Sequence, residues 1–169
     1  MHETPDDLAR LQRILDVSHT RAGRHLQDVI APERRLDAAT LAAQLDGMRL
    51  LVLATSNADG RPIAGPVDGV FYRGRFHFGS APDSVRFRHL ARRPHVSATH
   101  LPGEHFAVTV HGRAERIDLT AREHAGLRDT VLGIYVPRYG PEWEAMLTEA
   151  AFARIHPDRM FTFWMPEAS

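Results

Sequence analysis

Arg61-Pro62-Ile63-Ala64-Gly65-Pro66-Val67-Asp68-Gly69-Val70-Phe71-Tyr72-Arg73-Gly74-Arg75-Phe76-His77-Phe78-Gly79 decides the fold. Residues 61–72 alternate as a strand. Pro62 and Pro66 mark edges or bulges, because proline has no N–H to give a ladder. Arg73-Gly74 reads as a tight turn, and Arg75 to Gly79 returns as the next strand, which sets antiparallel pairing. Outward from this hairpin the pattern repeats. Arg49 to Thr55 is an apolar run of strand length, closed by the turn Ser56-Asn57-Ala58-Asp59-Gly60. His95 to Leu101, Phe106 to Ile117 (broken by Gly112) and Ala153 to Trp164 supply three more strands. Six strands joined mostly by hairpins predict a mainly β, α+β fold, an antiparallel sheet closing into a small barrel.

Helices flank this plan. Thr4-Pro5-Asp6-Asp7 is a helix start, with Thr as N-cap, Pro in the first turn and acids at the positive dipole end. Leu8, Leu11, Ile14, Leu15 and Ser18 follow at helical spacing, and the stretch runs on through Val29 to a stop at Pro32. A second short helix is expected from Asp37 to Leu45, ended by Gly47. Ser80-Ala81-Pro82-Asp83 opens a helix that carries Val85, Phe87 and Leu90 inward and crosses between the third and fourth strands. Thr120-Ala121-Arg122-Glu123 reads as a capping box, and Pro141 to Ala150 is expected to be helical. Residues 1–35 therefore form an N-terminal helical extension, and residues 36–169 the barrel domain.

The chain has 169 residues, 43% of them hydrophobic, enough for one domain with its own core. Its 21 basic and 21 acidic side chains cancel, at a pI of about 7.2, which argues against nucleic acid or an anionic membrane as partner. There is no Cys, which excludes disulfides, zinc–thiolate sites, iron–sulfur clusters and thiol nucleophiles. Every basic residue is Arg and none is Lys, so a Schiff-base lysine and a P-loop lysine are excluded too. Any bound anion must be held by Arg or by backbone N–H. The polar, acidic segment Met1 to Asp7 is unlike a signal peptide. The longest apolar run, Leu50 to Ala54, is far short of the ~20 residues that span a bilayer. A soluble, cytoplasmic chain without membrane contact is expected.

Dinucleotide-binding, P-loop, zinc-protease and Gly-x-Ser-x-Gly patterns are all absent. His95, His100 and His105 recur every five residues, which fits neither a helix face nor a strand face, so no metal site is expected. Chemistry concentrates in Phe76-His77-Phe78-Gly79-Ser80-Ala81-Pro82-Asp83-Ser84-Val85-Arg86-Phe87-Arg88. A strand ends at Gly79, and a helix then begins with two hydroxyls and free backbone N–H groups, which attract phosphate. Arg86 lies about a turn further on and can grip a phosphate through two donors at once.

Four further segments add to this one: Asp59-Gly60-Arg61-Pro62 with Pro66, the run Arg88 to Ser97, Gly112-Arg113-Ala114-Glu115-Arg116-Ile117, and Ala153 to Arg159. In order and spacing, over residues 40–165, they resemble the pyridoxamine 5′-phosphate oxidase-like family, the flavin- and deazaflavin-binding split β-barrel superfamily. The resemblance implies a six-stranded split barrel working as a homodimer, with FMN, or alternatively deazaflavin F-420, in a cleft between subunits. A dimer would also cover exposed barrel edges. The family's basic phosphate ligand stands eight positions before the proline opening the next strand, which is Arg86, and its serine corresponds to Ser84. Ser80 matches a small polar position at the end of the third strand, Ala64, Gly65, Pro66 and Val67 match the stretch along the flavin ring edge, and Phe78, Gly79 and Trp164 are likewise implied to contact the cofactor.

Two departures bear on the substrate. Ala107 stands where genuine pyridoxamine phosphate oxidases have Gln, and the C-terminal Trp–Arg substrate segment is lacking beyond Phe163-Trp164. The resemblance therefore implies an oxidoreductase acting on some other small molecule, akin to FMN- or F-420-dependent reductases. Tyr72, His77 and Trp164 are candidates for the substrate side, and no catalytic acid or base is assigned. The alternative within the same fold is a non-enzymatic binder of flavin, haem or bilin.

Overall fold

In the computed structural model, which describes residues 1–166, the hairpin closes as its residues dictate. β2 (Pro62–Tyr72) pairs antiparallel with β3 (Arg75–Ser80), Tyr72 opposite Arg75. The two-residue turn has φ 51° at Arg73 and 75° at Gly74, the left-handed pair that suits twisted strands. Arg73 is a poor residue for that conformation, which costs a side-chain-bearing residue roughly 1–2 kcal/mol. An ion pair offsets this: its Nε donates to Asp7 Oδ2 at 2.9 Å. Asp7 is nearly fully buried and also accepts from Arg10 and from the N–H and hydroxyl of Thr4. Burial pushes this carboxyl up. Hydrogen bonds from Arg73, Thr4 and Arg10 outweigh it and hold the group well below the usual carboxylate range.

The other strands are β1 (Met48–Ser56), β4 (His95–Gly103), β5 (Phe106–Ile117) and β6 (Ala151–Trp164). They form a closed antiparallel barrel in the order β1-β2-β3-β6-β5-β4. Adjacent hairpins join β1 to β2 to β3, and β4 to β5. Non-local pairs complete the circle, among them Phe78 opposite Ala153 and Leu53 opposite Ala98. Every strand has two neighbours, but β1 meets β4 over only three residue pairs and β2 meets β3 over only four, so Pro62 to Asp68 of β2 is paired on one side alone. Leu51, Leu53, Phe76, Phe78, Val108 and Ile155 fill the interior.

α1 (Pro5–Thr20) starts with the expected Thr4–Asp7 capping box and lies against β6. Its Leu11 and Leu15 join the barrel's own core, worth about 1.5–3 kcal/mol each. Ser18, on the same stripe, is buried because its hydroxyl accepts the N–H of Met160 at 2.9 Å. The helix does not run on to Val29 as expected. It stops at Thr20 and restarts as α2 (Arg24–Val29), because Gly23 takes an extended conformation and Gln27 Nε2 donates to the freed carbonyls of His19 and Thr20. α3 (Ala38–Gln44) is capped by Asp37, which accepts from the Thr40 N–H.

Two expected helix starts are also displaced. The crossing helix α4 is only Val85–Leu90, with Ser84 rather than Ser80 as its cap. No capping box forms at Thr120: Asp118 accepts both the N–H and the hydroxyl of Thr120. A 3₁₀ turn at Arg122–His124 then leads into α5 (Ala125–Tyr139), and a further one at Pro141–Ala145 into α6 (Met146–Glu149). Gly112 does not break β5. It sits opposite Pro157 where the β5–β6 register shifts by one residue, and a Cβ there would lie 2.0 Å from the His156 carbonyl oxygen.

Candidate functional site

Arg86 projects from the first turn of α4, whose Phe87 is anchored in the core. One guanidinium nitrogen donates to the Pro66 carbonyl at 3.0 Å and the other to Ser80 Oγ at 3.4 Å. No carboxylate pairs with it among the described residues. Burial pushes its pKa down from the ordinary arginine value. The result is a half-buried cation without a counter-ion among the described residues. Arg86, Ser84, Ala64 and Gly65 line a cavity of about 180 Å³. A Cβ at Gly65 would lie 3.8 Å from Arg86, at ordinary contact distance, so the residue faces the guanidinium. This arrangement fits a phosphate: an unneutralised guanidinium fork facing small residues. Ser84 accepts the Phe87 N–H at 3.3 Å, so its oxygen serves as a helix cap. With α4 only six residues long, the anion-attracting charge lies on Arg86 and not on the helix start that the sequence suggested.

A larger cavity of about 480 Å³ is lined by Gly79 and Ser80, and it is the Ser80 hydroxyl that accepts from Arg86. Its wall carries three aromatic rings at four-residue intervals. Tyr135 stacks on Trp143 with centroids 4.3 Å apart and planes 7° apart, and Tyr139 lies 6.0 Å from Tyr135 on the same stack. Tyr135 donates its hydroxyl to Asp68 Oδ2 at 3.3 Å. Burial first, then Asp68, pushes this phenol above its ordinary range, so it stays protonated. This cavity has almost no signature in the sequence. Its one available signal was the Tyr135–Tyr139–Trp143 spacing, which follows the helical period onto the face below α5.

The structure brings Ala64, Gly65, Ser84 and Arg86 to one cavity, Gly79 to the other, and Ser80 between them. Pro66 contributes its carbonyl. Val67 and Phe78 point into the core, and Phe78 is only 2% exposed, so neither side chain can meet a ligand. Trp164 packs beside the core opposite Phe106 and lines neither cavity. Tyr72 and His77 line a separate polar cavity at the other end of β2.

His77 is 5% exposed, and its Nδ1–H donates to the Arg75 carbonyl at 3.1 Å. Burial, then the nearby Arg154 charge, pushes its pKa down to about 3. It is therefore neutral near pH 7. In the unfolded chain the imidazole titrates near pH 6.5, so between those values only the unfolded state takes up the proton. The contribution of His77 to stability is complete above about pH 6.5 and falls by about 1.4 kcal/mol per pH unit below it. Urea unfolding at pH 7, 6 and 5 should show wild type losing stability more steeply than His77→Phe. Parallel curves would mean that the ring is not buried in its neutral form.

The family model described as pyridoxamine 5′-phosphate oxidase matches residues 38–162. No curated protein matches the chain. Among solved structures, the chain is similar to a FAD-binding protein from Mesorhizobium loti, with 24% identity, 76% of this chain and 95% of that one covered, and a TM-score of 0.56. It is similar to an F420 reductase at 19% identity, 70% and 93% coverage and a TM-score of 0.52. It is also similar to HutZ, the haem storage protein from Vibrio cholerae, at 18% identity, 77% and 95% coverage and a TM-score of 0.59. These likenesses speak for the fold, whose members carry different ligands.

Proposed function

Because the chain belongs to the pyridoxamine 5′-phosphate oxidase family, we propose that it is a flavin-dependent oxidoreductase, binding FMN, or alternatively deazaflavin F-420, and acting on a small organic substrate. The observation that carries this reading is Arg86, a desolvated guanidinium with no carboxylate partner among the described residues, beside a cradle of small residues. A bound flavin would supply two-electron hydride chemistry, which is why no protein nucleophile is needed. Arg86 and Ser80 hold the phosphate. The backbone of Ala64 to Val67 runs beside it. The Tyr135–Trp143 stack and Asp68 orient the substrate in the larger cavity and exclude water from it. With Ala107 in the place of the family glutamine, pyridoxamine phosphate itself is not the proposed substrate.

A cavity of about 180 Å³ is smaller than the ~300–1,000 Å³ usual for cofactor-sized ligands, so another surface must complete the wall. Beside Pro66 on the outer barrel face stand Val52, 55% exposed, and Leu50, 60% exposed, with Leu101, 63% exposed, on the neighbouring β4. Burying this apolar face against a second copy gives a two-fold dimer with two equivalent sites.

Purified protein is expected to sediment as a dimer and to quench added FMN, or F-420, with micromolar affinity. Val52→Glu should yield a folded monomer that binds at least about tenfold more weakly, since it loses one wall. A dimer that persists in Val52→Glu would place the interface elsewhere. Uptake of neither cofactor would end the oxidoreductase reading, and a sharp Soret band on adding haem would favour the haem-binding alternative.

A further inference from the structure

The polar cavity at the far end of β2 lies roughly 20 Å from Pro66, at about 3.3 Å per strand residue. It has a volume of about 300 Å³ and opens between α1, the β2–β3 turn, β6 and the entry to α5. Four guanidiniums line it, those of Arg10, Arg73, Arg75 and Arg154, against two carboxylates, Asp7 and Glu123. Asp7 is already shared by Arg10 and Arg73. Glu123 is solvent-exposed and stands at the rim. Arg154 gives one nitrogen to Glu115 at 2.7 Å, while its Nε is buried with no acceptor. Arg75 is half-buried, and its guanidinium has no hydrogen-bond acceptor or carboxylate partner among the described residues.

Desolvated guanidinium donors left unpaired are costly, and like charges in one cavity add to that cost. Burial, then Arg10 and Arg154, pushes the Arg75 pKa below its ordinary value, which reports the same unfavourable field. An anion in the cavity would relieve both. With Asp7 shared by Arg10 and Arg73, and Glu115 paired with Arg154, the charge left to neutralise is that of Arg75. Arg75 offers a planar fork that suits phosphate oxygens. Tyr72 and Leu127 leave an apolar wall for a small organic body. His77, held neutral, adds no charge of its own.

We propose that this cavity binds a compact phosphate-bearing anion, inorganic phosphate or a small phosphate monoester, gripped by Arg75 beside Arg154. Asp7 and Arg10 come from residues that precede the family-matched segment 38–162, so the N-terminal extension completes the site. The proposal stands apart from the flavin reading and from Arg86.

The test uses the full chain at constant ionic strength, set with chloride. Phenylglyoxal modification of Arg75, read by peptide mass spectrometry, should be blocked by inorganic phosphate or glycerol phosphate in a saturable way. Whichever protects at lower concentration tells whether the organic body is recognised. Phosphate should also raise the thermal midpoint of wild type and of Arg86→Gln, but not of Arg75→Gln. Arg75→Lys, which keeps the charge and loses the fork, should need about tenfold more phosphate. Equal protection by chloride or better protection by succinate would overturn the proposal, as would a phosphate effect that survives Arg75→Gln and vanishes in Arg86→Gln. Should Arg75→Gln fail to fold, the labelling of wild type decides alone.

Discussion

Arg86→Ala is expected to weaken FMN binding by about 2–4 kcal/mol, roughly 30- to 700-fold. Two charge-assisted bonds to phosphate would be lost. The gain they represent is partly offset, because the free guanidinium must first loosen its contacts to the Pro66 carbonyl and Ser80 Oγ. That offset keeps the loss below the sum of two full ionic bonds. The fold should survive, since the side chain is half-buried and carries no partner that would be left as an unpaired buried charge. Arg86→Lys should fall between wild type and alanine, keeping the charge and losing the fork. The measurement is flavin fluorescence quenching alongside a thermal melt. Unchanged affinity in a folded Arg86→Ala protein would place the phosphate somewhere else.

Gly112→Ala should cost about 2–4 kcal/mol and lower the melting temperature by about 5–15 °C, with no change in the residues that face either cavity. A methyl group there would sit 2.0 Å from the carbonyl oxygen of His156. That atom belongs to the backbone of β6 and cannot swing aside as a side chain would. It lies in the β5–β6 ladder, which runs from Phe106 opposite Trp164 to Ile117 opposite Phe152. Relief must come from displacing the strand around its extra residue, Asp158. Gly133 in α5 is the matched control, since a Cβ there meets nothing within 4 Å. Gly133→Ala should be stabilising by about 0.5–1 kcal/mol, because alanine loses less backbone freedom on entering a helix. Equal stability of Gly112→Ala and wild type would mean that the bulge is not held as described.

The six strands were legible because short-range signals set them: alternation, turn residues and the Arg73-Gly74 hairpin. Closure was legible only as a count. The β3–β6 and β1–β4 pairs join residues far apart in sequence, and no local pattern specifies them. Arg86 was legible from its place after the strand–helix junction. Its lack of a counter-ion among the described residues was not, because that depends on which carboxylates the fold leaves elsewhere. Phe78 looked accessible beside Ser80, but the pleat turns it into the barrel, where it meets Phe87 at 6.0 Å between ring centroids. The aromatic cavity was hidden for a different reason. Asp68 and Tyr135 are 67 residues apart and meet only once α5 lies over the barrel wall. At Thr120, Asp118 two residues earlier takes both the N–H and the hydroxyl that the capping box needs, and the nearer partner won.

The closed ring of strands has a consequence for how this protein can meet others. Where a strand is paired on both sides, its main-chain donors and acceptors are already spent on one another, so no incoming segment can be stitched on there by backbone bonding. Whatever associates with that part of the wall must read its side chains. Such recognition can be altered one residue at a time without disturbing the architecture beneath.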